Sequence, residues 1–183
     1  MKITFLGHAT LEIQINEFNL LVDPFISGNP MASNVDLDDL KPDFILITHA
    51  HQDHTLDVEK LAKDNNSLII SNFEIVSHFQ SKGLNGHPMN HGGKWNFDFG
   101  ELKYVNAIHT STFPDGSNGG QPGGFIITSN NKSIYIAGDT ALSYDMKLIP
   151  INYNLDLAIL PIGDNFTMGY KDAIIASDFI ECS

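Results

Sequence analysis

Three imidazoles and a carboxylate fall within six consecutive positions, His49-Ala50-His51-Gln52-Asp53-His54, directly after the apolar run Phe44-Ile45-Leu46-Ile47-Thr48. The apolar run reads as a buried strand, which puts the cluster on the loop at its carboxyl end. Neutral imidazole and carboxylate are the ligands that borderline divalent metals such as zinc select. In extended chain, residues two apart point to the same side, so His49 and His51 can converge on one ion. Asp53 and His54 follow where the chain should turn into a helix starting near Leu56, within reach of a second ion or a metal-held water. A lone His would suit a solvated polar loop. Three at this spacing make a metal site.

Two later positions have the same character. His109 ends the apolar stretch Ala107-Ile108, and Asp139 ends Tyr135-Ile136-Ala137-Gly138. Both stand at the carboxyl ends of strands, where the loops of an α/β fold gather a site. Gly138 allows close approach of backbone to an ion, and Thr140 is placed to cap a following helix. Alone, each has a plain alternative: a His bonded to backbone, and an Asp-Thr turn.

The remaining pattern is mixed α/β. Lys2 to Leu6, Leu11 to Ile15 and Phe18 to Val22 alternate as short strands. The spacing predicts a helix over Leu56 to Lys63, a strand over Leu68 to Ile70, and a helix over Phe73 to Ser81 capped by Asn72 and closed by Gly83. After the Gly92-Gly93 turn come strands at Glu101 to Ile108, Gly123 to Thr128, Ser133 to Ala137 and Leu155 to Leu160, then a helix at Asp172 to Ile180. Two β-rich halves with flanking helices suggest an α/β sandwich in a single domain spanning residues 1–183. The Gly-rich stretch Asp115 to Gly124 lacks the Gly-Lys-Ser/Thr ending of a phosphate loop. A mobile flap and a plain connection describe it equally well.

Composition narrows the partners. The formal net charge is −12, and all ten basic residues are Lys. Without Arg there is no bidentate phosphate clamp, and strong acidity argues against a nucleic-acid partner. Cys182 is the only cysteine, so there is no thiolate metal cage. No apolar run approaches membrane-spanning length and the first residues are too polar for a signal peptide. The expectation is a cytoplasmic protein acting on a small molecule, with self-association left open.

His49-Ala50-His51-Gln52-Asp53-His54, with His109 and Gly138-Asp139-Thr140 in order behind it, resembles the metallo-β-lactamase superfamily. Phe5-Leu6-Gly7-His8-Ala9-Thr10, Gly119 to Phe125 and Ala137 to Thr140 are similar to the bacterial metal-dependent hydrolases of unknown substrate related to the ascorbate-phosphate lactonases. The resemblance implies a four-layer αββα sandwich. It assigns His49, His51 and His109 to a first metal, Asp53 and His54 to a second, and Asp139 to a bridge between them. It also implies catalytic roles for Asp53 and Asp139 at a binuclear zinc site, with manganese or iron as alternatives. The reaction would be hydrolysis of a small ester, lactone or phosphodiester. An iron-dependent redox member of the fold, or a catalytically weak binding protein, are the alternatives.

One departure stands out. The superfamily supplies a late His to the second metal, and no histidine follows Asp139 here. The end, Glu181-Cys182-Ser183, reads as an unfinished helix without a Gly or Asn cap, as in a member lacking its C-terminal segment. His8, after Gly7, either joins the site or makes a structural hydrogen bond near it. His78 reads as a helical surface or packing residue, and His87 and His91 as loop residues.

Overall fold

The alternating runs that open the chain form the strands they predict: β1 (Lys2–Gly7), β2 (Thr10–Ile15) and β3 (Phe18–Val22). They pair antiparallel, and three parallel strands extend them: β4 (Phe44–Leu46), β5 (Leu68–Asn72) and β6 (Gly86–Met89). The order of this sheet is β1-β2-β3-β4-β5-β6. The computed structural model describes residues 1–182; of the terminal triplet singled out in the sequence, Ser183 lies outside them. The chain divides into two units, Met1–Asn90 with Ser111–Gly120, and His91–Thr110 with the residues from Gln121 onward.

In the first unit, α2 (Val58–Asn65) and α3 (Phe73–Ser81) cover one face of the sheet. Leu21, Ile45, Ile47 and Ile69 meet Val58, Leu61, Ala62, Ile75 and Phe79 there. Each of the Leu, Ile, Val and Phe side chains taken fully from water contributes about 1.5–3 kcal/mol. Leu20, Val22, Leu46 and Ile70, on the alternate positions, are buried as well, which is why these strands read as continuous apolar runs. The Asn72 side chain accepts a hydrogen bond from the Ile75 amide at 2.9 Å, capping α3 as its sequence predicts.

The second unit holds β7 (Lys94–Phe97), β8 (Gly100–Asn106), β9 (Gly123–Ser129), β10 (Lys132–Ile136) and β11 (Leu157–Ile159), in the order β11-β10-β9-β8-β7. The β9–β10 hairpin is tighter than the four-residue turn predicted. Asn130 and Asn131 both adopt left-handed backbone, closing it as a two-residue primed turn. Ile126, Tyr135 and Ala137 pack with Met146, Ile149, Leu155 and the α4 (Tyr170–Phe179) residue Ala176.

Four expectations need correction. The helix expected from Leu56 to Lys63 is divided and shifted: Gln52–Thr55 forms a helical turn of its own, α1, and α2 starts at Val58. Strand β6 carries no strand signal in Gly-His-Pro-Met, and its proline is tolerated because β6 is the sheet edge. No helix follows Thr140 directly; its hydroxyl accepts from the Ile108 amide and donates to the Ala141 carbonyl. Helix α4 is not left open either. It ends at Phe179, and Glu181 takes the left-handed conformation, with φ of 52°, that a Gly or Asn usually supplies.

Candidate metal centre

The first unit builds its half of the site on one buried carboxylate. Asp23 follows β3 with left-handed backbone, and His49 follows β4. Asp23 Oδ1 accepts the Thr48 amide at 2.8 Å, and Oδ2 accepts the Thr48 hydroxyl at 2.6 Å and lies 2.9 Å from His54 Nδ1. Asp23, Thr48, His49 and His54 are all fully or almost fully buried. A carboxylate has no proton to give, so Nδ1 of His54 carries the hydrogen and Nε2 keeps its lone pair. The relay continues. Thr48 has given its one hydroxyl proton to Asp23, so at 3.0 Å it accepts from His49 Nδ1, which leaves the lone pair of His49 on Nε2. One carboxylate thus sets two imidazoles in the tautomer that binds metal, as is usual for histidine ligands, whose other ring nitrogen is held by a carboxylate or another acceptor.

His49 Nε2 lies 3.0 Å from His51 Nδ1, so the two side chains do converge. Helical turn α1 then presents Asp53 and His54. His8 Nε2 is 3.1 Å from Asp53 Oδ2, and the hydrogen bond from His8 holds the Asp53 carboxyl down at about 2, against the opposing effect of partial burial. The candidate ligand atoms of His8, Asp53 and His54 lie within 4.8 Å of one another, as do those of Asp23, His49 and His54. Imidazole nitrogen with carboxylate oxygen is the donor set of zinc, iron or manganese. The residues fit a divalent metal.

Two further contacts hold this loop. Asp57, buried at the start of α2, accepts the amides of Ile26 at 2.6 Å and Ser27 at 3.0 Å, and the Ser27 hydroxyl. Ser111 Oγ accepts the Ala50 amide at 3.1 Å and donates to the Gly119 carbonyl. The Asn72 side-chain amide donates to that same carbonyl at 2.7 Å. Gly119 approaches so closely that a Cβ would sit 2.2 Å from Cβ of Ala50. Of the two readings of the Gly-rich stretch, its Gly119 end is an anchored connection rather than a flap.

In the second unit, His109 follows β8 and Asp139 follows β10. The Thr140 bridge and the Ala141 amide, which donates to the Ile108 carbonyl at 3.1 Å, tie the two strand ends together. His109 Nε2 and Asp139 Oδ2 face each other at 3.7 Å, too far for a hydrogen bond. Within each unit, therefore, the expected ligands gather: His49, His51, Asp53 and His54 in one, His109 and Asp139 in the other. His78 stacks on Phe113 as a packing residue; His87 lies in β6; His91 Nε2 is 2.9 Å from the Pro122 carbonyl oxygen. Sequence reading missed Asp23, Thr48 and Asp57. Asp23 was legible only as the strand-ending Asp of Asp-Pro-Phe, a turn signal with no hint of an imidazole partner.

The model of the beta-lactamase superfamily domain matches residues 2–181. A UPF0173 metal-dependent hydrolase of Flavobacterium johnsoniae is 65% identical over 182 residues, covering 100% of this chain and 81% of that protein. Among solved structures, Igni18, a metallo hydrolase from Ignicoccus hospitalis, superposes with a TM-score of 0.88 at 30% identity, covering 98% of this chain and 78% of the other. CmlA, a diiron β-hydroxylase from Streptomyces venezuelae, shares the fold at a TM-score of 0.70 and 20% identity, covering 86% of this chain and 34% of its own. Fold and donor set are those of a metal-dependent hydrolase with the metallo-β-lactamase fold. The chain belongs to the β-lactamase superfamily, with the UPF0173 metal-dependent hydrolases as its relatives.

Proposed function

We propose that this chain hydrolyses a small ester, lactone or phosphodiester with one or two divalent ions, zinc foremost, as a single catalytic domain of the cytoplasm. His49, His51 and His109 would serve as ligands of a first ion. Asp53 and His54 would hold a second, with Asp139 as the carboxylate that would be shared between them. The observation that carries the reading is the buried relay from Asp23 through Thr48 to His49 and His54. A relay that commits two imidazoles to one tautomer is of use to a metal site and of none to a solvated loop. When bound, such ions supply Lewis acidity: they acidify water and polarise the bond to be cleaved. Asp53, half-exposed and ionised, is the side chain able to orient that water or carry its proton to the leaving group. The net charge of −12 and the absence of Arg favour a small substrate over nucleic acid or an anionic membrane surface.

The test is hydrolysis of a panel of lactones, carboxylic esters and phosphodiesters by protein reconstituted with zinc, manganese or iron. We expect turnover of at least one class, lost on chelation and in the His49→Ala/His51→Ala double variant. Turnover indifferent to chelation overturns the reading. Iron retained through anaerobic purification, with no hydrolysis of any class, supports the redox alternative; metal binding with no turnover of any kind supports a binding protein.

A further inference from the structure

We propose that His8 is a direct ligand of the second ion, the imidazole that joins Asp53 and His54 there. The inference rests on the metal reading above and extends it to a residue that the superfamily motif does not contain.

The geometry is that of a ligand group. His8 Nε2 and Asp53 Oδ2 stand 3.1 Å apart. His49 Nε2 and His51 Nδ1, in the metal-binding motif itself, stand at 3.0 Å. Two ligands at about 2.0–2.1 Å from one tetrahedral ion are separated by roughly 3.3 Å, so both contacts have the spacing of neighbours on a shared cation. The His8 ring meets the His54 ring at 5.0 Å between centroids. The candidate ligand atoms of His8, Asp53 and His54 lie within 4.8 Å of one another.

Asp23 does not take this place. Its Oδ1 accepts the Thr48 amide, and its Oδ2 accepts the Thr48 hydroxyl and His54 Nδ1, so its oxygens are already engaged in orienting ligands. His8 and Asp53 are partly open, with side chains 38% and 47% exposed. That accessible side is what a catalytic ion needs to meet substrate, as opposed to the closed shell of a structural one.

The backbone is built to deliver the ring. The β1–β2 register shifts between Phe5 and Gly7, Gly7 has φ of 112°, and His8 has φ of 54°. A Cβ on Gly7 would come within 2.9 Å of the Asn29 side-chain amide, so only glycine lets the chain turn here. A non-glycine residue held in left-handed backbone is uncommon, and such outliers cluster at functional sites. Ordinary extended backbone at this hairpin would need neither residue.

The test is cadmium-113 NMR on the full chain with 15N-labelled histidine. We expect two cadmium resonances, one of them scalar-coupled to His8 Nε2. His8→Gly suits the left-handed backbone, so it removes the ring without straining the hairpin; far-UV circular dichroism of the apo-protein checks the fold. In that variant the first ion should bind as in wild type, and the second should weaken by more than the roughly 10–100-fold that losing a supporting contact costs. Two bound ions in wild type with no coupling to His8, or two ions held equally well by His8→Gly, overturn this inference and leave the metal reading intact. Wild type that binds no ion overturns both.

Discussion

Asp23 Oδ2 lies 2.9 Å from His54 Nδ1, both side chains at most 1% exposed. This contact joins the end of β3 to the last histidine of the metal-binding run. It settles which nitrogen of His54 is left for a metal. In Asp23→Asn the amide keeps the volume but can aim its NH2 group at Nδ1 and reverse the tautomer. We expect zinc affinity to fall roughly 10–100-fold, read by competition with a chromophoric chelator. Nitrogen-15 shifts of the His54 ring should report the change of tautomer; unchanged affinity and tautomer would remove Asp23 from the site.

Asp57 is the second buried carboxylate, and its role is scaffolding. Asp57→Ala strands the Ile26 and Ser27 amides together with the Ser27 hydroxyl. Hydrogen bonds to a charged group are worth about 1.5–3 kcal/mol each, and the loop can relax toward solvent. Urea unfolding of the apo-protein should therefore show a loss of about 3 kcal/mol. A loss below about 1 kcal/mol would mean the loop holds without it.

Gly119→Ala places a methyl against Ala50 and Ser111 Oγ, the latter at 2.6 Å. Overpacking of this kind costs about 1–3 kcal/mol. Because Ala50 lies between His49 and His51, metal affinity should drop together with the midpoint of thermal unfolding. A stability loss with unaltered zinc binding would separate the Gly119 contact from the metal loop.

Asp139→Asn is expected to lose most hydrolytic activity while the apo-protein stays folded. A carboxylate shared by two cations is favourable while they are present; without them the fold does not depend on that charge. Steady-state assays beside circular dichroism of the apo-protein check this. An unfolded apo variant would make Asp139 structural.

Tyr153 gives a pH signature in the second unit. Burial, reinforced by its hydrogen bond to Glu101 at 3.0 Å, pushes its hydroxyl up to about 12. A group with a raised pKa contributes its stability in full below the unfolded value, near 10, and loses that contribution as pH climbs through the folded one. Alkaline unfolding should set in between these limits and be less steep in Tyr153→Phe. Phenolate absorbance titrating at the ordinary value would contradict the contact.

Local signals were enough for most of the elements and for the metal-binding motif. The periodicity of Lys2 to Val22, the cap at Asn72 and the run His49 to His54 each depend on residues a few positions apart, where propensity, capping and ligand spacing act within the segment itself. The superfamily followed from that run with His109 and Asp139. Strand β6 was invisible because Gly86-His87-Pro88-Met89 has no strand propensity; pairing with β5 alone makes it a strand. The left-handed backbone at Glu181 was invisible too, since its residue type argues against it. Tertiary structure alone decided what surrounds the ligands: Asp23 reaches His54 across 31 positions, Asp57 reaches Ile26 across the same interval, and His8 meets Asp53 from the first hairpin. Tautomer and ligand orientation depend on these long-range contacts. They form only when separate strand ends are brought side by side, and no pattern along the chain encodes that meeting.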